Sequence, residues 1–352
     1  MAFTWEDTTI TRDNGEVVAG KAPVIISASR STDIPAFFAK WLFSRLDKGY
    51  CSWYNPFNKS QPYFVSFKNT KVIVFWTKNP EPIIPYLEKL DKRGIHYYFQ
   101  FTLNDYEKEG FEPGIPELER RIQTFKNLSN LIGKEKVIWR FDPLILSDQL
   151  TVRDLLKKIW FVGNQIKGYT DKLVFSFADI NVYKKVQNNL IRETAQFNKE
   201  NLSSAEFSED NTTEFIIGLN KIKEAWKAEG WEIQLATCSE KIDLEKYNIE
   251  HNKCIDGALM AKLFSKDYEL MYFLANGRLP EKTYNLFDKQ NAKIKNLKDT
   301  GQRTECGCIF SKDIGMYDTC KHHCVYCYAN TSRKMVEKNY ATHNLNSESI
   351  ID

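Results

Sequence analysis

Lys71-Val72-Ile73-Val74-Phe75-Trp76-Thr77 is the stretch on which the fold turns. Its five central residues are all apolar, three of them β-branched and two aromatic, which favours an extended chain and leaves it no polar face. Such a strand has to be covered on both sides, the situation of a parallel sheet. Five further runs of the same character lie along the chain, at 23–29, 96–103, 136–142, 172–179 and 232–238. Between them the apolar spacing turns helical, over 35–48, 82–93, 115–131, 151–166, 182–199 and 214–229. Ser31-Thr32-Asp33 ahead of Ile34-Pro35 reads as a helix start, and Gly94 as a helix stop. Six strand–helix units follow, an order that builds either an open doubly wound sheet or a partial barrel. A seventh extended run, 61–67, is expected to pair at the edge or as a hairpin with the second strand.

In both architectures ligands bind at the carboxyl ends of the strands. There the sequence offers Ser27, Ser29, Arg30 and Asp33, then Thr77, Lys78 and Asn79, then Thr102, Asn104 and Tyr106, and finally Arg140, Asp142, Ser176, Asp179, Cys238 and Glu240. Arg140 and Lys78 are expected to matter most, because each follows an aromatic run and would direct a cation into the mouth. No GxGxxG follows the first strand and no GxxxxGK[ST] occurs, which disfavours dinucleotide and P-loop phosphate binding.

The chain has 352 residues, enough for about two domains or for one large parallel-strand domain with an appendage. Hydrophobic residues make up 42% and charged residues 27%, so a sizeable core is expected rather than disorder. No apolar run approaches the ~18 residues of a spanning helix, and the N-terminal wording does not resemble a secretion signal. A cytoplasmic protein with no membrane association is expected. The net charge of +3 lends no support to a nucleic-acid partner, although a local groove would not be visible in it. Eight cysteines in a reducing compartment shift the expectation from disulfides toward metal ligation or catalysis.

Five of these cysteines crowd into the span 306–327. Cys320-Lys-His-His-Cys324-Val-Tyr-Cys327 has the spacing CxxxCxxC with an aromatic residue before the last cysteine. Three thiolates so spaced can hold three irons of a cubane and leave the fourth iron open, whereas an electron-transfer cluster fills all four positions. Zinc sites more often use paired CxxC knuckles.

The loop resembles the signature of the radical S-adenosylmethionine superfamily, CxxxCxΦC, with Tyr326 as the aromatic Φ. The resemblance implies a partial (βα)6 TIM-like barrel and a 4Fe-4S cluster whose open iron binds S-adenosylmethionine. It implies reductive cleavage to a 5'-deoxyadenosyl radical that abstracts hydrogen from a substrate, with a one-electron donor such as a flavodoxin or ferredoxin. In that superfamily the cysteine loop normally follows the first strand, where this chain reads SASRSTDIP. A C-terminal segment folding back over the barrel mouth would restore the position. The expected division is therefore 1–288 for the partial barrel with a helical extension and 289–352 for a linker and cluster-binding segment. The alternative is a non-catalytic or electron-transfer protein holding iron-sulfur or zinc. More of the wording, WTKNP, FQFTLNDY, VIWRFDPL, ATCSEKIDL and the C-terminal GQRTECGCIFSKDIGMYDTCKHHCVYCYAN, looks like the bacterial family domain of unknown function 1848 (DUF1848). Its TKN segment is weakly similar to spore photoproduct lyase.

On this resemblance Cys320, Cys324 and Cys327 are the cluster ligands and Tyr326 lies near the adenine. By rim position alone, Arg140, Asn79, Thr77 and Ser176 are candidates for the carboxylate, amino group and ribose. Cys306-Gly-Cys308 precedes the loop, and Cys238 and Cys254 lie at and beyond the sixth strand. These four could meet as a second cluster or a zinc site, or be small buried hydrophobes. Cys51 has no spacing partner. His322 and His323 are expected around the cluster, and Gly315 as a permissive turn residue.

Overall fold

The computed structural model describes residues 3–56, 58–281 and 296–351. Strands β1 (Glu6–Thr11) and β2 (Val17–Ala22) form an antiparallel hairpin, followed by β3 (Ile25–Ala28), α1 (Ile34–Phe37) and α2 (Ala39–Lys48). Next come β4 (Tyr50–Asn55), β5 (Asn58–Ser66), β6 (Val72–Thr77), α3 (Leu87–Lys92), β7 (His96–Thr102) and α4 (Leu118–Ile132). The chain continues through β8 (Val137–Leu144), α5 (Val152–Gln165), β9 (Lys172–Phe177), α6 (Lys184–Glu193), α7 (Glu209–Ala228) and β10 (Gln234–Thr237). It ends with β11 (Ile249–His251), α8 (Gly257–Leu263), α9 (Tyr268–Asn276), β12 (Lys312–Asp313) and α10 (Arg333–Thr342).

The six expected strands are β3, β6, β7, β8, β9 and β10. They stand side by side in chain order within an eight-stranded sheet, β11-β10-β9-β8-β7-β6-β3-β12, in which every pairing is parallel. No closed barrel forms among the described residues: β11 lies at one edge and β12 at the other. The expectation of a TIM-like barrel is thus met at the coarser level of an α/β protein with a large parallel sheet flanked by helices.

The run 61–67 is a correction. It belongs to β5, which pairs antiparallel with β4 in a separate sheet of order β1-β2-β5-β4. Pairing with β6 was excluded because β3 and β7 occupy both of its edges. Helix bounds also moved. The helix over 35–48 is interrupted at Phe38, the 82–93 segment is helical only over Leu87–Lys92 after a short 3₁₀ turn, and α6 ends at Glu193. The boundary at 288–289 lies outside the described residues.

Alternation along the strands sorts two cores. Ile73, Phe75, Phe99, Phe101, Trp139 and Phe175 face one large cluster that includes Leu155, Ile159 and Trp226 of α5 and α7. Val72, Val74, Tyr98, Ile138 and Val174 face the other, covered by Met260 of α8, Leu270 and Phe273 of α9, and the segment from Leu297 to Ile309. Each fully buried side chain of this size contributes about 1.5–3 kcal/mol. Both faces of the sheet are therefore largely sealed, as the unbroken apolar runs require, and polar side chains gather at the strand ends and around Gln100, Arg140 and Cys254 on the second face.

Candidate functional site

The chain returns to the carboxyl ends of β3 and β6 through β12. Asp313 accepts hydrogen bonds from Ser27 Oγ (2.6 Å) and Arg30 N (2.8 Å), fixing the returning segment to the end of β3. Gly315 follows, and a Cβ there would stand 1.8 Å from Ser29 Oγ. Its φ is not in the left-handed region, so close approach, rather than the turn freedom expected of it, requires glycine. Lys312 sits over the rings of Trp53 (3.2 Å) and Tyr63 (4.3 Å), and burial pushes its pKa down to about 8.

The cysteine loop is seated by Asp33, which also caps α1 by accepting from Ala36 N (2.9 Å). Its other oxygen accepts from Thr77 Oγ1 (3.0 Å), Lys78 N (2.7 Å) and His322 Nε2 (2.7 Å). One buried carboxylate thus joins the ends of β3 and β6 to the residue between Cys320 and Cys324. The second ring nitrogen of His322 lies 3.3 Å from Gly114 O, while Gly114 N donates to His322 O (2.9 Å). His322 therefore anchors the loop. A side chain at position 114 would collide with the loop backbone, its Cβ 2.2 Å from Lys321 O.

Cys324 is buried and Cys320 and Cys327 are half-buried. Burial pushes the Cys320 thiol up to about 12 and raises those of Cys324 and Cys327 as well, opposed in the latter two by the charge of Lys78. Burial alone would lower the Lys78 ammonium, but Glu112 at 2.7 Å reverses this and raises it. Glu112 is held low in turn: burial raises it, and Lys78 and Arg121 overcome that effect. Tyr326 OH donates to Glu112 and lies 3.0 Å from Lys78 Nζ and 3.2 Å from Asn104 Nδ2. The Tyr326 hydroxyl is thus committed to this buried cluster. Glu112 carries no sequence signal, because its partners Lys78 and Tyr326 come from distant segments.

The remaining rim residues separate. Thr77 is buried against Asp33 and accepts from Asn79 N (3.0 Å), and Asn79 Oδ1 accepts from Glu81 N (3.3 Å), so both shape the turn after β6. Ser176 is half-buried on β9, two residues beyond Val174. Arg140 does not join Lys78. It pairs with Asp142 and donates to Gln100 Oε1 (3.2 Å) and Cys254 Sγ (3.0 Å). Glu240 accepts from Phe177 N (2.8 Å), and burial raises its carboxyl to about 7.

Cys238, Cys254, Cys308 and Cys306 come together in a chain of sulfur contacts. Cys238 Sγ lies 3.5 Å from Cys254 Sγ, and Cys254, Cys308 and Cys306 stand near enough to shift one another's protonation. Donation from Cys308 pulls the Cys306 thiol down to about 7. Cys51 is fully buried elsewhere, pushed up to about 12 by burial. Among the described residues, no group of three or more His, Cys, Asp or Glu stands already arranged around a common metal position.

These features define an α/β protein whose C-terminal cysteine loop rests on the carboxyl ends of a parallel sheet. The chain belongs to the family described as Domain of unknown function (DUF1848), whose family model matches residues 25–329. No curated protein and no solved structure matches it. Among the described residues no helix is long and apolar enough to cross a membrane.

Proposed function

We propose that the protein is a radical S-adenosylmethionine enzyme, with Cys320, Cys324 and Cys327 as ligands of a 4Fe-4S cluster and the parallel sheet as a partial barrel. What carries the reading is the contact of His322 with Asp33, which joins the three-thiol loop to the strand ends where this class of fold binds ligands. The donor set is of the right kind: three cysteine sulfurs, one buried and two half-buried, with the charge of Lys78 favouring the thiolate form of Cys324 and Cys327. The strand order supports the barrel, since β3 to β10 never reverse direction of succession as a doubly wound sheet would.

When bound and reduced by a one-electron donor, the cluster would supply the electron that splits S-adenosylmethionine into methionine and a 5'-deoxyadenosyl radical for hydrogen abstraction. The chain's own residues hold and shield. Asp33 and His322 orient the loop, the Lys78–Glu112–Tyr326 cluster closes it from below, and the aromatic packing of Tyr106 against Tyr326 keeps water from its flank.

The test is direct. Anaerobically reconstituted protein, reduced with dithionite and given S-adenosylmethionine, is expected to release 5'-deoxyadenosine, and Cys324→Ala to abolish release while retaining the fold by circular dichroism. Release by the variant equal to wild type, or none from wild type carrying its full iron, overturns the reading.

A further inference from the structure

The four thiols on the second face of the sheet are not used by the proposed function. They come from three separate places: Cys238 directly follows β10, Cys254 lies beyond β11, and Cys306-Gly-Cys308 belongs to the segment leading to β12. Backbone pairing brings the last two together, with Ile309 N donating to Ile255 O (3.0 Å), while Asp299 N donates to Cys308 O (2.9 Å) within the returning segment. Asn252 N donates to Thr237 O (2.7 Å), which fixes Cys254 beside the end of β10. Convergence of four cysteines from three segments is not required by packing, for which any small apolar residue would serve.

Hydrogen-bond donors are directed at two of these sulfurs. Cys254 Sγ accepts from Arg140 Nη1 (3.0 Å) and Asn252 Nδ2 (3.3 Å), and Cys308 Sγ accepts from Ile255 N (3.3 Å). Arg30 is close enough for its charge to act on Cys308, Cys254 and Cys306, and its buried Nη2 has no hydrogen-bond partner. Asp142 lies beside Arg140 and Asp313 beside Arg30, so neither arginine is left as an isolated buried charge. N–H groups directed at cysteine sulfur are what a metal-bound thiolate requires of its neighbours.

We infer that Cys238, Cys254, Cys306 and Cys308 form a structural site for one tetrahedral zinc ion, stapling the C-terminal segment to the sheet. The spacing favours a single ion over a cluster. Zinc–sulfur bonds of about 2.3 Å in a tetrahedron put the sulfurs roughly 3.8 Å apart. The observed 3.5 Å between Cys238 and Cys254 is close to this, whereas a cubane would have to thrust the sulfurs apart to admit irons and sulfides between them. The four sulfurs do not share a common metal position in this structure, so side-chain rotation has to bring them into one ligand set, each giving up its thiol proton to solvent as zinc binds. The site does not depend on the proposed function, and its test reads a different metal.

Full-length protein as purified is expected to carry about one zinc per chain by elemental analysis, in keeping with a closed four-thiolate site. Cobalt exchanged into the wild-type chain is expected to give the visible absorption of tetrahedral thiolate coordination. Cys320→Ala should leave both signals unchanged, and Cys306→Ser with Cys308→Ser should remove both. Retention of zinc by that double variant overturns the inference, as does acid-labile sulfide with iron persisting when Cys320, Cys324 and Cys327 are all replaced. Wild-type protein free of zinc and lighter by two hydrogens would instead identify a disulfide. Should the double variant fail to fold, the wild-type cobalt spectrum alone decides, since its absence rejects the site.

Discussion

At the residue scale, two positions near the cysteine loop respond to substitution for different reasons. Gly114 has no room for a side chain because the backbone carbonyls of Lys321 and His322 lie within 2.2 and 2.8 Å of the Cβ position. Backbone cannot rotate away as a side chain can, so Gly114→Ala is expected to displace the loop and cost about 1–3 kcal/mol. Urea denaturation should show this loss, together with lower iron after reconstitution than wild type. Lys78 and Glu112 are a buried ion pair, with side chains 15% and 1% exposed. Removing one charge strands the other, so Lys78→Met is expected to cost about 3–5 kcal/mol. Replacing both with Lys78→Met and Glu112→Leu should cost less than the single change, since neither member of the pair is stranded and Arg121 keeps Glu107 at 3.9 Å. A double change that costs the sum of the two singles in the same denaturation series would contradict this account. His322 and Asp33 show a role that spacing alone does not reveal. The histidine's neighbours in sequence are cysteines, but its hydrogen-bond partners come from α1's cap and from Gly114, and no local pattern announces either.

At the element scale, helix α5 is a clear case of local determination. Thr151 Oγ1 accepts from Asp154 N (3.3 Å), while Asp154 accepts from Thr151 N (3.2 Å), a reciprocal cap. Thr151→Ala is expected to lower stability by about 1 kcal/mol. Hydrogen bonds from Thr151 and Lys157 hold the Asp154 carboxyl down at about 2, from an ordinary 3.8. A carboxyl lowered on folding stabilises above its unfolded pKa, and that contribution disappears as pH falls through the folded one. The gap between wild type and T151A should therefore be full above pH 4 and narrow toward pH 2, a trend that thermal melts across this range would check. The same contrast between local and distant causes decides what was legible. The six core strands could be read because unbroken β-branched and aromatic runs have few alternatives. The β1–β2 hairpin could not, since EDTTIT and VVAGKA are mostly exposed or half-buried and lack an apolar run. Nor could β12, whose two residues owe their extended form to pairing with Ile26 and Ser27. The cysteine spacing and the four outlying thiols stood out in the sequence, whereas Glu112 and the turn of Arg140 toward Cys254 depended on contacts made only in the fold.

At the scale of the whole molecule, the cysteine loop is held from both sides along the chain. Upstream, β12 joins the sheet beside β3; downstream, α10 grips the loop through Glu337 against His323 Nε2 (2.8 Å) and Asn339 Nδ2 donating to Asp318 O (2.9 Å). Beyond α10 the last described residues dock on the small sheet and α2. Ser52 N donates to Glu348 O (2.8 Å), Trp41 Nε1 to Ser347 O (3.0 Å) and Tyr50 OH to the Glu348 carboxylate (2.6 Å). Ile350 and Ile351 are 0% and 8% exposed. Removing residues 344–352 would uncover Trp41, take away the acceptor of its indole N–H, and lose two isoleucine burials worth about 1.5–3 kcal/mol each. The expected loss is at least about 3 kcal/mol in urea denaturation. Because α10 would lose the neighbour that pins its far end, the cysteine loop should loosen with it, so the truncated chain is expected to lose reconstituted iron faster than wild type at a temperature where both remain folded. An equal iron half-life in the two chains would show that β12 and His322 alone suffice to hold the loop, and that the terminal segment stabilises only the small sheet.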